Sequence, residues 1–245
     1  MNSKGSLIAK DGFKNEKDII NKFNNWENDI DAQKWLKIMD YNLKEIEYIK
    51  TEILHGYKTD IQVHIAIKLI EVLDTQNIQV KLVSTPYGFN QIDKRWINKY
   101  VEMWNIPDDI TRLLKYFTGE LKPYKKNVKD DRRMFLTEFS IEEQNKLLNF
   151  FRENKILILC DILKGRGKFV AEWMLIIQKI NNIQWVLLPI NVVINHYGNE
   201  EVTITPRGSL KIGKVTIQRK GGDNGKNTAN MIQFKVNPSE LFDCK

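Results

Sequence analysis

"YKTDIQVHIAIKL" (Tyr57–Leu69) and, shortly after it, "NIQVKLVS" (Asn77–Ser84) decide how this chain is read. Each alternates apolar and polar side chains with the period of two expected of a β-strand. Each also carries charge inside that alternation, Asp60 in the first and Lys81 in the second. On the second strand Gln79 and Lys81 point one way while Val80 and Leu82 pack behind them. Eighteen residues separate Asp60 from Gln79, so a hairpin brings Asp60, Gln79 and Lys81 to one strand end. A carboxylate, an amide oxygen and an ammonium that converge can serve phosphodiester hydrolysis. Oxygen ligands suit a hard cation such as Mg²⁺, which takes one or two protein groups and keeps waters and substrate phosphate oxygens in its shell. Such a metal lowers the pKa of a bound water, and Lys81 would orient that water or offset charge on the phosphate. The same spacing equally describes a solvent-facing hairpin edge, where lysine guards against strand-to-strand aggregation. Spacing alone leaves both readings open.

Composition bears on the partner and not on that choice. Lys and Arg number 38 against 31 acidic residues in a chain of 245, a net charge of +7. That balance biases association toward polyanions, nucleic acid first and anionic membrane second. No apolar run approaches the roughly 18 residues needed to span a bilayer, and "MNSKGSLIAKDGFK" lacks the continuous apolar segment of a secretion signal. The expected compartment is the cytoplasm. Cys160 and Cys244 show no CxxC spacing, and His55, His64 and His196 do not fall at metal-ligand spacing, which argues against zinc and for free thiols.

Along the chain, apolar Ile19, Ile20, Phe23, Trp26, Ile30 and Trp35 predict an amphipathic helix over 15–37, interrupted near Asn28. Helices are predicted over 43–54, 91–104 and 107–117, the last opened by Pro107 and two aspartates. Ser140 and Glu143 form a capping box for a helix through Phe151, and a further helix over 154–165 is bounded by Asn154 and Gly165. A strand over 169–180, a helix over 184–197 despite Pro189, and two strands within 202–219 complete the pattern. The whole reads as one mixed α/β domain with a C-terminal β-rich extension. Trp26, Trp35, Trp104, Trp173, Trp185 and Met174 fall on apolar faces and are assigned to the core.

Three surfaces are candidates for contact with DNA. "STPYGFNQIDKRW" (Ser84–Trp96) leaves the second strand and carries Phe89, Gln91, Asp93 and Lys94. Phe89 is either a wedge between base steps or a core anchor for the helix predicted after it. "TIQRKGGDNGKNTANMIQFK" (Thr216–Lys235) is a strand, a glycine-rich turn and a strand. Around its turn stand Gln218, Arg219, Lys220, Asn224, Lys226, Asn227, Asn230 and Gln233, side-chain types that pair with base edges; a solvated surface hairpin is the other reading. Lys122, Lys125, Lys126, Arg132 and Arg133, in the aperiodic loop 119–133, are candidates for phosphate contacts that position without specifying sequence.

D-x(18)-Q-x-K on adjacent strands resembles a variant of the PD-(D/E)xK nuclease motif. The words "AKDGFKNEKDI", "NIQVKLVS", "GFNQIDK", "FTGEL", "RRMF", "TEFS", "EEQN", "TIQRKGGDNG" and "TANMIQFK", in order from Ala9 to near the C-terminus, resemble HinP-one-I-like Type II restriction endonucleases of that superfamily. The resemblance implies a PD-(D/E)xK restriction-endonuclease-like core, a mixed central sheet flanked by helices. It places the catalytic core at about 9–117 and the DNA-recognition elements at about 84–96 and 202–236. It implies Mg²⁺ held by Asp60, Gln79 and the Val80 backbone carbonyl, with Lys81 beside the attacking water. Glu16, on the first helix, is a further candidate ligand or an ordinary exposed glutamate. Thr59 stands where the motif has proline, and Gln79 where most members have an acid, a weaker cation ligand. The implied reaction is cleavage of double-stranded DNA at GCGC after the first G, in a bacterial host protected by a companion methyltransferase. A homodimer and a monomer acting twice both suit such a palindrome. The rivals are a non-catalytic DNA-binding protein on the same scaffold and a structure-specific repair or nicking nuclease.

Overall fold

The computed structural model describes residues 4–54, 60–67, 72–85, 88–222 and 226–244. In chain order its elements are helices α1 (Lys4–Asn24) and α2 (Ile30–Ile38), then strands β1 (Ile46–Ile53), β2 (Ile61–Ile67), β3 (Val72–Val83) and β4 (Asn90–Arg95). Helices α3 (Ile97–Trp104), α4 (Asp108–Thr118), α5 (Ile141–Glu153) and α6 (Lys155–Leu163) come next. Strands β5 (Trp173–Lys179) and β6 (Ile183–Pro189), helix α7 (Ile190–Gly198) and strands β7 (Val202–Ile204), β8 (Leu210–Ile212), β9 (Val215–Arg219) and β10 (Ile232–Val236) complete the chain. Among the described residues no helix is long and apolar enough to cross a membrane.

The chain divides into two compact units. The first takes residues up to Gly88, Leu163–Val193 and Pro238 onward; the second takes Phe89–Ile162 and Ile194–Asn237. A core drawn at about 9–117 therefore runs across both, because 89–117 belongs to the second.

In the first unit a five-stranded sheet has the order β1-β2-β3-β5-β6. β3 pairs antiparallel with β2 and parallel with β5, so the sheet is mixed, as expected. One face carries Ile61, Val63, Ile65, Ile78, Val80, Leu175, Ile177 and Leu187, which pack with Ile19 and Phe23 of α1 and Ala32, Trp35 and Leu36 of α2. The break between the two helices falls where Asp29 caps α2, its Oδ1 accepting from the Asp31 and Ala32 amides at 3.0 and 2.9 Å. The second unit holds an antiparallel sheet of order β4-β10-β9-β8-β7. Tyr100 stacks on Trp104 at 4.6 Å, and the edge of each meets Phe234.

Four sequence expectations are corrected. Residues 46–53, predicted helical, form β1: Ile49, Thr51 and Ile53 alternate against β2, and a register shift between Ile46 and Tyr48 disguises the period of two. Residues 90–95 are β4 and not the start of a helix, because β10, far along the chain, supplies their partner in the pair Gln233↔Lys94. The stretch 183–189 is strand β6, which pairs along β5 and ends at Pro189, and the helix begins only at Ile190. Three strands, not two, occupy 202–219, since Gly213, at φ 57°, turns β8 into β9. The capping box stands: the Glu143 amide donates to Ser140 Oγ at 3.2 Å, and the Ser140 amide to Glu143 Oε2 at 2.7 Å. Parts of the Tyr57–Leu69 segment, residues 57–59 and 68–69, lie outside the described residues.

Candidate active site

The antiparallel register sets Ile61 opposite Ile78, and the pairing continues one residue further because the Asp60 amide donates to the Ile78 carbonyl at 3.0 Å. Asp60 thus stands at the end of β2, beside Gln79. Its carboxylate folds against the neighbouring strand, where the Val80 amide donates to Asp60 Oδ2 at 2.7 Å. A residue's N–H and C=O leave a strand on the same edge, so the Val80 carbonyl faces the Asp60 side too. Lys81 Nζ lies 3.9 Å from Asp60 Oδ2, with the two side chains only 16% and 23% exposed. The three residues singled out by the sequence are therefore neighbours, and the two charges are close and largely shielded from water.

Gln79 is 2% exposed, and among the described residues its Oε1 has no hydrogen-bond donor. A buried acceptor left unmatched costs about 1–3 kcal/mol, a cost that a cation coordinated there removes. Glu16 belongs to the same electrostatic neighbourhood. Burial, reinforced by the Asp60 charge and opposed by Lys81, lifts its carboxyl from 4.5 to about 7. Among the described residues no group of three or more His, Cys, Asp or Glu side chains is placed to hold a metal ion. The oxygen set here differs in kind: one carboxylate, one amide and one backbone carbonyl, with a second acid nearby. Hard, oxygen-only and low in charge, it fits Mg²⁺, which keeps most of its waters.

Behind this site lies a clamp that the sequence did not reveal. Gln62 Nε2 donates to Asn77 Oδ1 at 2.9 Å, one rung along the sheet from Asp60 and Gln79. The Asn77 amide donates to Glu172 Oε2 at 2.9 Å, while the Glu172 amide donates to the Asn77 carbonyl at 2.9 Å. Glu172 thereby locks the start of the parallel β3–β5 pairing. It stands 95 residues away in sequence, so no local pattern points to it.

A family model for the R.HinP1I restriction endonuclease matches residues 39–242. The chain belongs to that family. Membership makes it a restriction endonuclease, a hydrolase that cuts DNA. Among solved structures it is similar to restriction endonuclease MspI in complex with its cognate DNA, at a TM-score of 0.60 and 13% identity over 90% of this chain and 87% of that one. At that identity the likeness speaks for the fold, and the fold is restriction-endonuclease-like. No curated protein matches the chain's sequence.

In this R.HinP1I-family chain the remaining candidates lie in the second unit. Phe89 is 54% exposed, which removes the core-anchor reading of that side chain. Gln91 and Lys94 are exposed on β4. Asp93 faces the other way: it is 6% exposed, accepts from Tyr100 Oη at 2.5 Å and from Arg95 Nε at 3.1 Å, and with burial raises the Tyr100 pKa. Its place is in the unit's own frame. Gln233 is also buried, its Nε2 donating to the Arg219 and Lys220 carbonyls at 3.5 and 3.4 Å.

Gln218 and Lys220 are half-buried, Lys226 and Asn227 are exposed, and Asn224 lies outside the described residues. Arg219 Nε donates to the Thr118 carbonyl at 2.9 Å and its Nη2 to Asn230 Oδ1 at 2.7 Å, while Asn230 Nδ2 donates to the Gly119 carbonyl at 3.0 Å. In the loop, Lys122 and Lys126 are exposed and Lys125 donates to the Glu138 carbonyl at 2.6 Å. Arg132 is 66% exposed and pairs with Asp130, its Nε 2.8 Å from Oδ1. Arg133 lies over the Phe135 ring at 4.0 Å, its pKa lowered by burial and by Arg219; it packs more than it reaches outward.

Proposed function

We propose that this protein is a Mg²⁺-dependent Type II restriction endonuclease that hydrolyses both strands of double-stranded DNA at GCGC. Cleavage falls after the first G and leaves a two-base 5′ overhang with 5′-phosphate and 3′-hydroxyl ends. One observation carries the catalytic part: Asp60, Gln79 and Lys81 lie together at a strand end, with a buried amide oxygen that no donor among the described residues satisfies. Net charge +7 supports a polyanionic substrate, and the MspI structure, solved with its cognate DNA, supports a duplex. The GCGC site rests on the sequence resemblance.

Asp60, Gln79 and the Val80 carbonyl would hold the divalent cation, with Glu16 as an additional acid. When bound, that ion supplies a more acidic water and neutralises phosphate charge. Asp60 is held in place for this by the Val80 amide. Lys81, held beside Asp60, orients the attacking water and stabilises charge developing on the phosphate oxygens. Phe89, exposed where the chain leaves the catalytic strand, supplies the wedge, and Gln91 and Lys94 offer an amide and an ammonium to base edges. A companion DNA methyltransferase would protect the host's own sites, and the cytoplasm is the compartment that holds both. A homodimer would supply one active site per strand.

Digestion of a plasmid of known sequence, with and without Mg²⁺, tests this reading. Discrete fragments ending at GCGC, formed only with the metal, are expected. Binding without cleavage would assign the chain to non-catalytic DNA binding, and nicks set by DNA structure would make it a repair-type nuclease.

A further inference from the structure

The phosphate-contact loop and the glycine-rich hairpin stand far apart in sequence, yet in the second unit they share one cleft of about 290 Å³. Lys122 and Arg132 line it from the loop, and Arg219, Lys226 and Asn230 from the hairpin side. Among the described residues, none of those lining it is acidic.

The floor is built, not incidental. Gly119 ends α4 at φ 85°, and a Cβ there would meet the Arg132 carbonyl oxygen at 2.7 Å, so only glycine admits the loop this close. Asn230 bridges the two segments, accepting from Arg219 and donating to the Gly119 carbonyl. Arg219 spends Nε and Nη2 on this frame, and among the described residues its Nη1 has no protein acceptor. Its guanidinium is thus fixed beside a second one, and burial together with Arg132 lowers its pKa. Asp130 pairs most closely with Arg132 and also with Arg133, and its charge offsets part of the burial and Arg132 effect on Arg219. Two guanidinium groups and two ammonium groups around one concavity are matched by an anion with several oxygens.

We propose that this cleft is a clamp for the DNA backbone. Lys122, Arg132, Arg219 and Lys226 grip phosphodiester oxygens, and Asn230 is a positioning residue that aims Arg219. Arg219 and Asn230 then fix where the duplex sits and do not choose its sequence. Base reading falls to other side chains, Gln91 and Lys94 among them. This inference rests on the DNA-cleaving function proposed above.

The test compares Lys122→Ala and Lys226→Ala, both at exposed positions, with the wild type. Anisotropy titrations without divalent cation would use a GCGC duplex and a duplex with that site scrambled, over a series of NaCl concentrations. Each variant is expected to weaken both duplexes by the same factor and to flatten the slope of log K against log salt by about 0.9 for each phosphate no longer neutralised. Weakening confined to the GCGC duplex would overturn the clamp and return these residues to base reading. Unchanged slope and affinity on both duplexes would overturn it as well. A wild type that cleaves at GCGC beside such unchanged variants sinks the clamp alone, whereas a wild type that neither binds nor cuts DNA removes the function beneath it.

Discussion

The proposed catalytic face of the first unit and the basic surface of the second follow opposite designs. Asp60, Gln79 and Lys81 sit on two adjacent strands, are largely withdrawn from solvent, and carry little net charge. The basic surface is open and gathers cations from segments about a hundred residues apart, Arg219 reaching the Thr118 carbonyl and Asn230 the Gly119 carbonyl. Chemistry on one phosphate needs a few atoms fixed closely in a place of low dielectric. Holding a polyanion needs many charges spread over area, each worth little alone. Catalytic substitutions should therefore act steeply and singly, and surface ones shallowly and together.

The largest effect is expected at Asp60. Asp60→Ala should lower cleavage of a GCGC plasmid by more than about 10³-fold, beyond the loss of a single electrostatic stabiliser, while duplex affinity stays within a few-fold. Retained cleavage would remove the carboxylate from the mechanism, and a lost melting transition would make its bond to the Val80 amide structural.

Gln79→Leu sharpens the contrast, because it separates activity from stability. The substitution deletes a buried oxygen that has no donor among the described residues, and replacing such a group with an apolar one of similar size is neutral or stabilising. Cleavage should fall by about 10²-fold or more while the melting temperature holds or rises. A parallel fall in both would show that the amide serves the fold, not a cation.

Sequence range decides how much of this could be read in advance. β2 and β3 are legible because alternation is local, while the spacing of Asp60, Gln79 and Lys81 gains its meaning only through the resemblance of D-x(18)-Q-x-K to a nuclease motif. β4 escapes a local reading because its partner β10 lies well over a hundred positions on, and a strand whose hydrogen bonds are made at that distance leaves only a weak local mark. Glu172 is invisible for the same reason. Asp93 and Gln233 have the chemistry of base readers but are buried: Asp93 shares a rung with the core residue Phe234, and Gln233 donates to the Arg219 and Lys220 carbonyls, contacts that no local pattern shows. Composition names the basic residues correctly and cannot say which are already spent, as Arg133 is over Phe135.

Asp93→Ala breaks the comparison from the other side, by asking whether every polar residue near the basic surface serves DNA. It leaves the Tyr100 hydroxyl, on a side chain 1% exposed, without its acceptor, for which about 1–3 kcal/mol of lost stability is expected. The Arg95 pair, 44% exposed on the arginine side, adds little. Chemical denaturation should show that loss, with discrimination between GCGC and scrambled duplexes unchanged for the folded fraction. Full stability with relaxed sequence choice would make Asp93 a reader after all.

The smallest effect belongs to Glu16, and its sign is fixed by linkage. Its folded pKa is raised, from 4.5 to about 7, by burial first and the Asp60 charge second. Below about pH 4.5 both folded and unfolded chains are protonated there and the group is neutral in its effect. Between pH 4.5 and 7 the unfolded chain ionises first, so stability falls as pH rises; above 7 the loss is complete. Glu16→Gln carries no such penalty. In metal-free buffer its melting temperature should match the wild type near pH 4.5 and exceed it at pH 8 by on the order of a degree or two, since a half-exposed carboxylate is screened by solvent. Divalent cation should narrow the gap by favouring the ionised wild-type carboxylate. Melting curves that stay parallel from pH 4.5 to 8 would take Glu16 out of the Asp60–Lys81 neighbourhood.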